Sequence, residues 1–82
     1  MNRNDIIMQL TEMAQTIFED DKIELVDRTT AADIEGWDSI TNVAWFYSIE
    51  NKFNIRFSMR ELNEIRNIGE LVDVVLIKCE RI

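Results

Sequence analysis

Few side chains here could take part in covalent chemistry, and one stands at the entrance to the most apolar stretch. Ser39 follows Asp38 directly, within GWDSITNVAWFY, residues 36–47. A hydroxyl beside a carboxylate can serve as nucleophile, helix cap or attachment point. The first use fails on residue types. The chain has no histidine, so a Ser-His-Asp triad, a Cys-His pair and the zinc motif H-E-x-x-H are all impossible. WDSIT is not the G-x-S-x-G elbow. Gly36 and Gly69 are the only glycines, so there is no glycine-rich phosphate loop. A single cysteine, Cys79, rules out ordinary zinc sites and any internal disulfide, as expected of a reducing, cytoplasmic setting. Cys79 reads as a half-buried small hydrophobe near the C-terminus. The segment DRTTAADIEGWD lacks the calcium-loop spacing and allows at most weak surface binding of cations. No catalytic residue and no metal site is expected, and the chain is not expected to be an enzyme.

The other two uses of Ser39 remain open. Asp38 and Ser39 are both good N-cap residues. Asn42 makes a weak capping-box partner for Ser39. If Asp38 takes the cap, the Ser39 hydroxyl is free to point outward from the first helical turn. Free N–H donors and the helix dipole favour a negative group there, which suits a phosphodiester. On these residues alone, capping is the simpler role.

The elements that must position Ser39 can be read from periodicity. With 82 residues the chain is one domain, 1–82, near the lower end of what folds unaided. Ile6, Leu10, Met13 and Ile17 recur at helical spacing, widened by Ile7 and Ala14, and predict a helix from about Asn4 to Phe18. The acids of EDDK oppose the dipole at its end, where fraying is expected. From Asp20 to Asp38 no helical period holds. Ile23, Leu25, Val26 and Ile34 suggest a long loop pinned across the bundle. A second helix starts at Asp38 or Ser39 and ends near Lys52 or Phe53, followed by an extended NIRF connector. Ser58 and Glu61 form a capping box that starts a short helix through about Ile65. Asn67 with Glu70 starts the last helix, with Ile68, Leu71, Val72, Val75 and Cys79 turned inward. The fold class is all-α: an antiparallel bundle of three main helices plus one short helix.

The second helix has too much apolar surface for one buried face. At about 100° per residue, Trp45, Phe46, Ile49 and Phe53 fall on one side, while Ile40, Val43, Ala44 and Tyr47 fall on the other. The first stripe is bulkier and is the better core candidate. The second is left partly exposed and continuous with Ser39, as contact sites often are. It could instead line the edge of the core beneath the loop.

Charge narrows the partners. The net charge of −7 argues against nucleic acid. It is also uneven: residues 1–38 hold ten acids and three bases, and residues 39–82 hold six of each. A solvated surface explains the acidity plainly, and a basic partner is the sharper explanation. No stretch approaches the roughly 18 apolar residues of a membrane span.

The segment ADIEGWDSITNVAWFYSIENKFNIRFSMRELNEIRNIGELVDVV, residues 32–75, resembles the acyl carrier proteins. The likeness rests on Asp38-Ser39-Ile40 against the family's Asp-Ser-Leu, and on the Gly36-Trp37 lead-in. Ile49-Glu50, Phe53, the IRFS connector, Ile65 and NIGEL follow in order. The resemblance implies a carrier: 4′-phosphopantetheine on Ser39, placed there from coenzyme A by a phosphopantetheinyl transferase. The arm's thiol would hold an acyl or aminoacyl group as a thioester for activating and transferring enzymes. It also implies that Asp38, Ile40, Val43, Ala44 and Tyr47 form the docking face, with Ile65 beside it. A monomer is expected.

Two departures bear on specificity. Many family members carry several acids on the docking face, whereas here Thr41, Ala44 and Asn51 occupy such positions and Glu50 alone is acidic on the helix body. Docking is therefore expected to depend on apolar contact through Val43 and Tyr47, and less on ionic strength. Trp45 and Phe46 stand where smaller aliphatics are common. They argue for short cargo in a specialised lipid, polyketide or similar route. The alternatives are an aminoacyl or peptidyl carrier, and an unmodified helical adaptor that binds through the second helix.

Overall fold

The structure, a computed structural model, describes residues 2–34 and 38–80. The expected Gly36-Trp37 lead-in lies outside the described residues, as does Glu35. Four helices and no strand are present among the described residues: α1 (Arg3–Ile17), α2 (Ser39–Phe53), α3 (Met59–Glu64) and α4 (Ile68–Glu80). Among the described residues a 3₁₀ turn, Ala31–Asp33, interrupts the long loop between α1 and α2.

The ends of α1 show why it has its length. The Asn2 side chain accepts a hydrogen bond from the Asp5 N–H and caps the start. At the other end the chain does not simply fray into the acidic run. Glu19 adopts a left-handed φ of 53°, and the Asp20 N–H returns to the Gln15 carbonyl at 3.0 Å. That six-to-one closure is the Schellman arrangement, made here with a residue other than glycine. α2 ends in the same way. Asn54 is left-handed, and the Ile55 N–H donates to the Glu50 carbonyl at 3.0 Å.

The core joins one face of each long helix. Ile6, Leu10 and Ala14 of α1 meet Trp45, Ile49 and Phe53 of α2, and Ile68, Leu71, Val72 and Val75 of α4. Met13 and Ile17, expected at the centre of the α1 stripe, lie half-buried at its edge, as does Cys79 on α4. α1 packs against both α2 and α4. The loop is pinned, with Ile23, Leu25 and Ile34 buried, although Val26 is exposed.

What holds the loop is the start of α4, whose first N–H groups have no helical partner. The Ile68 N–H donates to the Thr29 carbonyl at 2.9 Å, and the Gly69 N–H to the Asp27 carbonyl at 2.7 Å. Gly69 permits this approach, because a Cβ there would lie 3.1 Å from the Asp27 carbonyl oxygen. Arg3 adds a clamp at the rim. Its guanidinium pairs with Asp73 of α4 and, at 3.2 Å, with Asp27 of the loop. The segment leading towards Ser39 is thus tied at its middle to two helices.

Candidate functional site

The entrance to α2 shows which residue caps the helix. Asp38 has extended backbone, and its carboxylate accepts hydrogen bonds from the N–H groups of Ile40 and Thr41, each at 2.9 Å. The Thr41 hydroxyl accepts from the Asp38 N–H at 2.8 Å, completing a reciprocal capping box. Asp38 is therefore the cap, and Ser39 is the first residue of the helix proper. These N–H donors, that of Thr41 foremost, hold the Asp38 carboxyl below its ordinary titration range. The sequence reading weighed Asn42 as a box partner for Ser39 and passed over Thr41. The D-x-x-T spacing from Asp38 was the signal.

Below Ser39, the two apolar stripes of α2 separate as the helical wheel requires. Trp45 is 0% exposed, and its indole N–H donates to the Leu10 carbonyl at 3.3 Å. Ile49 and Phe53 are buried with it, and Phe46 is half-buried, its ring edge-on to Phe57 at 5.4 Å. On the other side Ile40 is 79% exposed, Val43 68% and Tyr47 64%, with Ala44 also exposed. Ile65 behaves differently. It ends α3 half-buried and packs against the core, so it meets solvent less than the α2 residues do. Met59, at the start of α3, is 73% exposed and was not singled out in the sequence.

Glu50 has a role that no local pattern announces. Its carboxylate accepts the Phe57 N–H at 2.8 Å and braces the connector to α3, seven residues on. α3 itself starts at Ser58, whose hydroxyl accepts from the Glu61 N–H. Glu61 returns the bond to the Ser58 N–H and pairs with Lys78 of α4 at 2.9 Å. The Ser58 N–H and then Lys78 hold the Glu61 carboxyl below its ordinary range.

Between α2, α3 and the loop lies a pocket of about 130 Å³. Asn42, Phe46, Ile65, Arg66 and Thr30 line it, with Trp45 at its inner side. Among the described residues, no group of three or more acids or cysteines is placed to hold a metal ion. Nor is any described helix long and apolar enough to cross a membrane.

The profile of the phosphopantetheine attachment site family matches residues 9–75. The chain is also similar to a holo acyl carrier protein from Geobacter metallireducens, whose structure was solved in solution by NMR. The identity is 36% and the TM-score 0.86, over 92% of this chain and 86% of that one. The chain belongs to the acyl carrier protein family. No curated protein matches it in a sequence search. Membership makes it a phosphopantetheine-bearing carrier that works with partner enzymes of acyl transfer, in a family that is generally not catalytic. The residues present fit a covalent phosphopantetheine arm. The carrier's capping role is filled by Asp38, the neighbours Asp38 and Ile40 are exposed, and α2 presents its N-terminus there.

Proposed function

We propose that residues 1–82 act as a single carrier domain in the cytoplasm, with the 4′-phosphopantetheine arm esterified to the Ser39 hydroxyl. The observation that carries this reading is the division of labour at the helix start. Asp38 and Thr41 cap α2, so the helix start does not need Ser39 as its cap. When attached, the arm supplies a terminal thiol that holds an acyl group as a thioester. The rest falls to this chain's own residues. Asp38 fixes the first turn, and the α2 N-terminus favours the phosphate through its dipole. The exposed residues Ile40, Val43, Ala44 and Tyr47, with Ile65 beside them, present an apolar face to a phosphopantetheinyl transferase and to acyl-activating and transferring enzymes. Half-buried Cys79 has no part in this.

The interior favours short acyl cargo in a specialised biosynthetic route. A pocket of about 130 Å³ compares with the roughly 150 Å³ cavity that holds one benzene. Trp45, fully buried and tied to α1, closes its inner side.

Intact-mass spectrometry tests the reading. The chain and Ser39→Ala would each be incubated with coenzyme A and a broad-specificity phosphopantetheinyl transferase. One added phosphopantetheinyl mass on the native chain alone is the expected result. No gain, under conditions that modify a known carrier, would leave an unmodified adaptor with Ser39 as an ordinary helical residue.

A further inference from the structure

The net negative charge belongs to residues 1–38, and the fold gathers part of it around a second apolar surface, away from α2. At about 100° per residue, Asp5, Met8 and Glu12 of α1 fall within about 60° of one another, opposite the buried Ile6, Leu10 and Ala14. All three are exposed, Met8 to 58%. The loop runs beside them. Gln15 donates from Nε2 to the Asp21 and Ile23 carbonyls, at 3.3 and 3.0 Å, and Arg3 pairs with Asp27 near the start of the helix. Residues 21–27 are thus tied to α1 towards both of its ends, and a groove lies between helix and loop. Leu25 is its buried part, while Met8 and Val26, the latter 49% exposed, offer apolar surface from the two walls.

The groove is acidic by count. Glu12 and Glu24 line it, and Asp5 shares the exposed side of α1; none of the three forms an ion pair among the described residues. Asp21, whose carbonyl meets Gln15, adds a further acid. The sole base of α1 is Arg3, which is matched by two acids, Asp27 and Asp73. Lys22 and Arg28 stand in an adjoining concavity of the loop, with Asp20 and Asp33 there to balance them. Solubility explains the acids, but not why they flank a groove with Met8 and Val26 exposed in it.

Apolar contact at the centre of an interface supplies affinity, and complementary charge at its rim supplies orientation and rate. We propose that the groove between α1 and residues 21–27 docks a basic amphipathic segment of a partner protein. Its apolar side chains would lie on Met8, Leu25 and Val26, and its lysines or arginines beside Glu12 and Glu24. The proposal goes beyond the carrier reading and does not depend on it. Because α1 packs on α2 through its buried stripe, a partner in the groove sits on the far side of α1. It leaves Ile40, Val43 and Tyr47 free for a second partner.

The test is an NMR titration of the full chain, ¹⁵N-labelled and without the arm, at about 0.15 M salt. Three synthetic helical peptides serve as probes: one with leucines along one face flanked by lysines, one with the lysines replaced by glutamine, and one with the leucines replaced by serine. The first should shift the amides of Met8, Glu12, Glu24 and Val26 more than those of Val43 and Tyr47. It should bind about fivefold more tightly than the glutamine peptide, the worth of two exposed ion pairs. The serine peptide should bind at least about tenfold more weakly, through loss of the apolar contact. Glu12→Gln/Glu24→Gln alters two exposed side chains without ion pairs and takes the net charge only from −7 to −5, yet it should abolish the preference for lysine. Larger shifts on the α2 face, equal affinity for the lysine and glutamine peptides, or no binding would overturn the proposal. So would a preference for lysine that survives in the variant, or a serine peptide as good as the leucine one, since either marks diffuse attraction to net charge. Loading at Ser39 is read separately by intact mass, so either result can fail alone.

Discussion

Replacing Trp45 with alanine tests whether α2 has its two apolar faces assigned correctly. Trp45 is 0% exposed, contacts Phe18 and Phe46 through its ring, and donates its indole N–H to the Leu10 carbonyl. Truncating such a side chain costs about 3–5 kcal/mol, because the lost transfer energy adds to the cavity left behind. An 82-residue domain has on the order of 4–12 kcal/mol of unfolding free energy in total, at about 0.05–0.15 kcal/mol per residue. The variant is therefore expected to lose about a quarter or more of its stability. With a urea slope of about 1 kcal/mol per molar, suited to so short a chain, the midpoint should fall by about 3 M or more.

Two companion variants sharpen this. Trp45→Phe keeps an aromatic ring against Phe18 and Phe46 but gives up the bond to Leu10, and should cost about 1–2 kcal/mol. Tyr47→Ala, two residues away on the exposed side, should change stability by no more than about 0.5 kcal/mol. Urea titrations followed by far-UV circular dichroism avoid reliance on the altered tryptophan. If Trp45→Ala costs less than about 1 kcal/mol, or no more than Tyr47→Ala, the assignment of core and contact faces is wrong. The size argument for short cargo would fall with it.

Two further outcomes follow from the loop and the caps. Gly69→Ala places a Cβ 3.1 Å from the Asp27 carbonyl oxygen, which also accepts the Gly69 N–H. Overpacking of about 1–3 kcal/mol against a helix-propensity gain of about 1 kcal/mol leaves a net loss near 1 kcal/mol. Thermal unfolding should then occur roughly 5 °C lower, and a rise would show that the loop is not latched to α4. Asp38 and Glu61 titrate below their ordinary values of 3.8 and 4.5, the first held mainly by the Thr41 N–H and the second by the Ser58 N–H. The unfolded chain therefore binds more protons at acidic pH, so the stability these groups add is complete above about pH 5 and lost as pH falls through their depressed values. Urea midpoints should decline less steeply below about pH 4.5 in Asp38→Asn/Glu61→Gln than in the native chain, and parallel declines would refute the assignment.

Helices were legible in the sequence because their evidence is local. Apolar spacing on α1, α2 and α4 and the Ser58–Glu61 box lie within a few residues of the structure they specify, and the bounds agree to within a residue or two. The surplus apolar stripe was legible for the same reason, since 100° per residue separates Trp45 from Tyr47 whatever surrounds them. The entrance was read only in part. Both Asp38 and Ser39 could cap, and the choice turned on the Thr41 hydroxyl, which is three residues away and easily overlooked beside Asn42.

What stayed hidden has a common physical form: a polar side chain or loop carbonyl satisfying a distant group. Arg3 reaches Asp73 across 70 positions, Glu50 reaches the Phe57 N–H, and the carbonyls of Asp27 and Thr29 take the first donors of α4. None of these follows a period: the Arg3–Asp73 pair joins side chains that only the packing of α1 on α4 brings together, and a hydrogen bond to a backbone group does not depend on the identity of the residue at the other end. They nonetheless change the functional reading. An acid counted from the sequence as a free recognition charge, Glu50, is committed to the connector. The lone acid on the body of α2 is therefore tied to the fold. Arg56 and Arg66 form no ion pair among the described residues. The Glu50 carboxylate keeps its charge but is held in place, so its effect on a partner is set by where the fold fixes it.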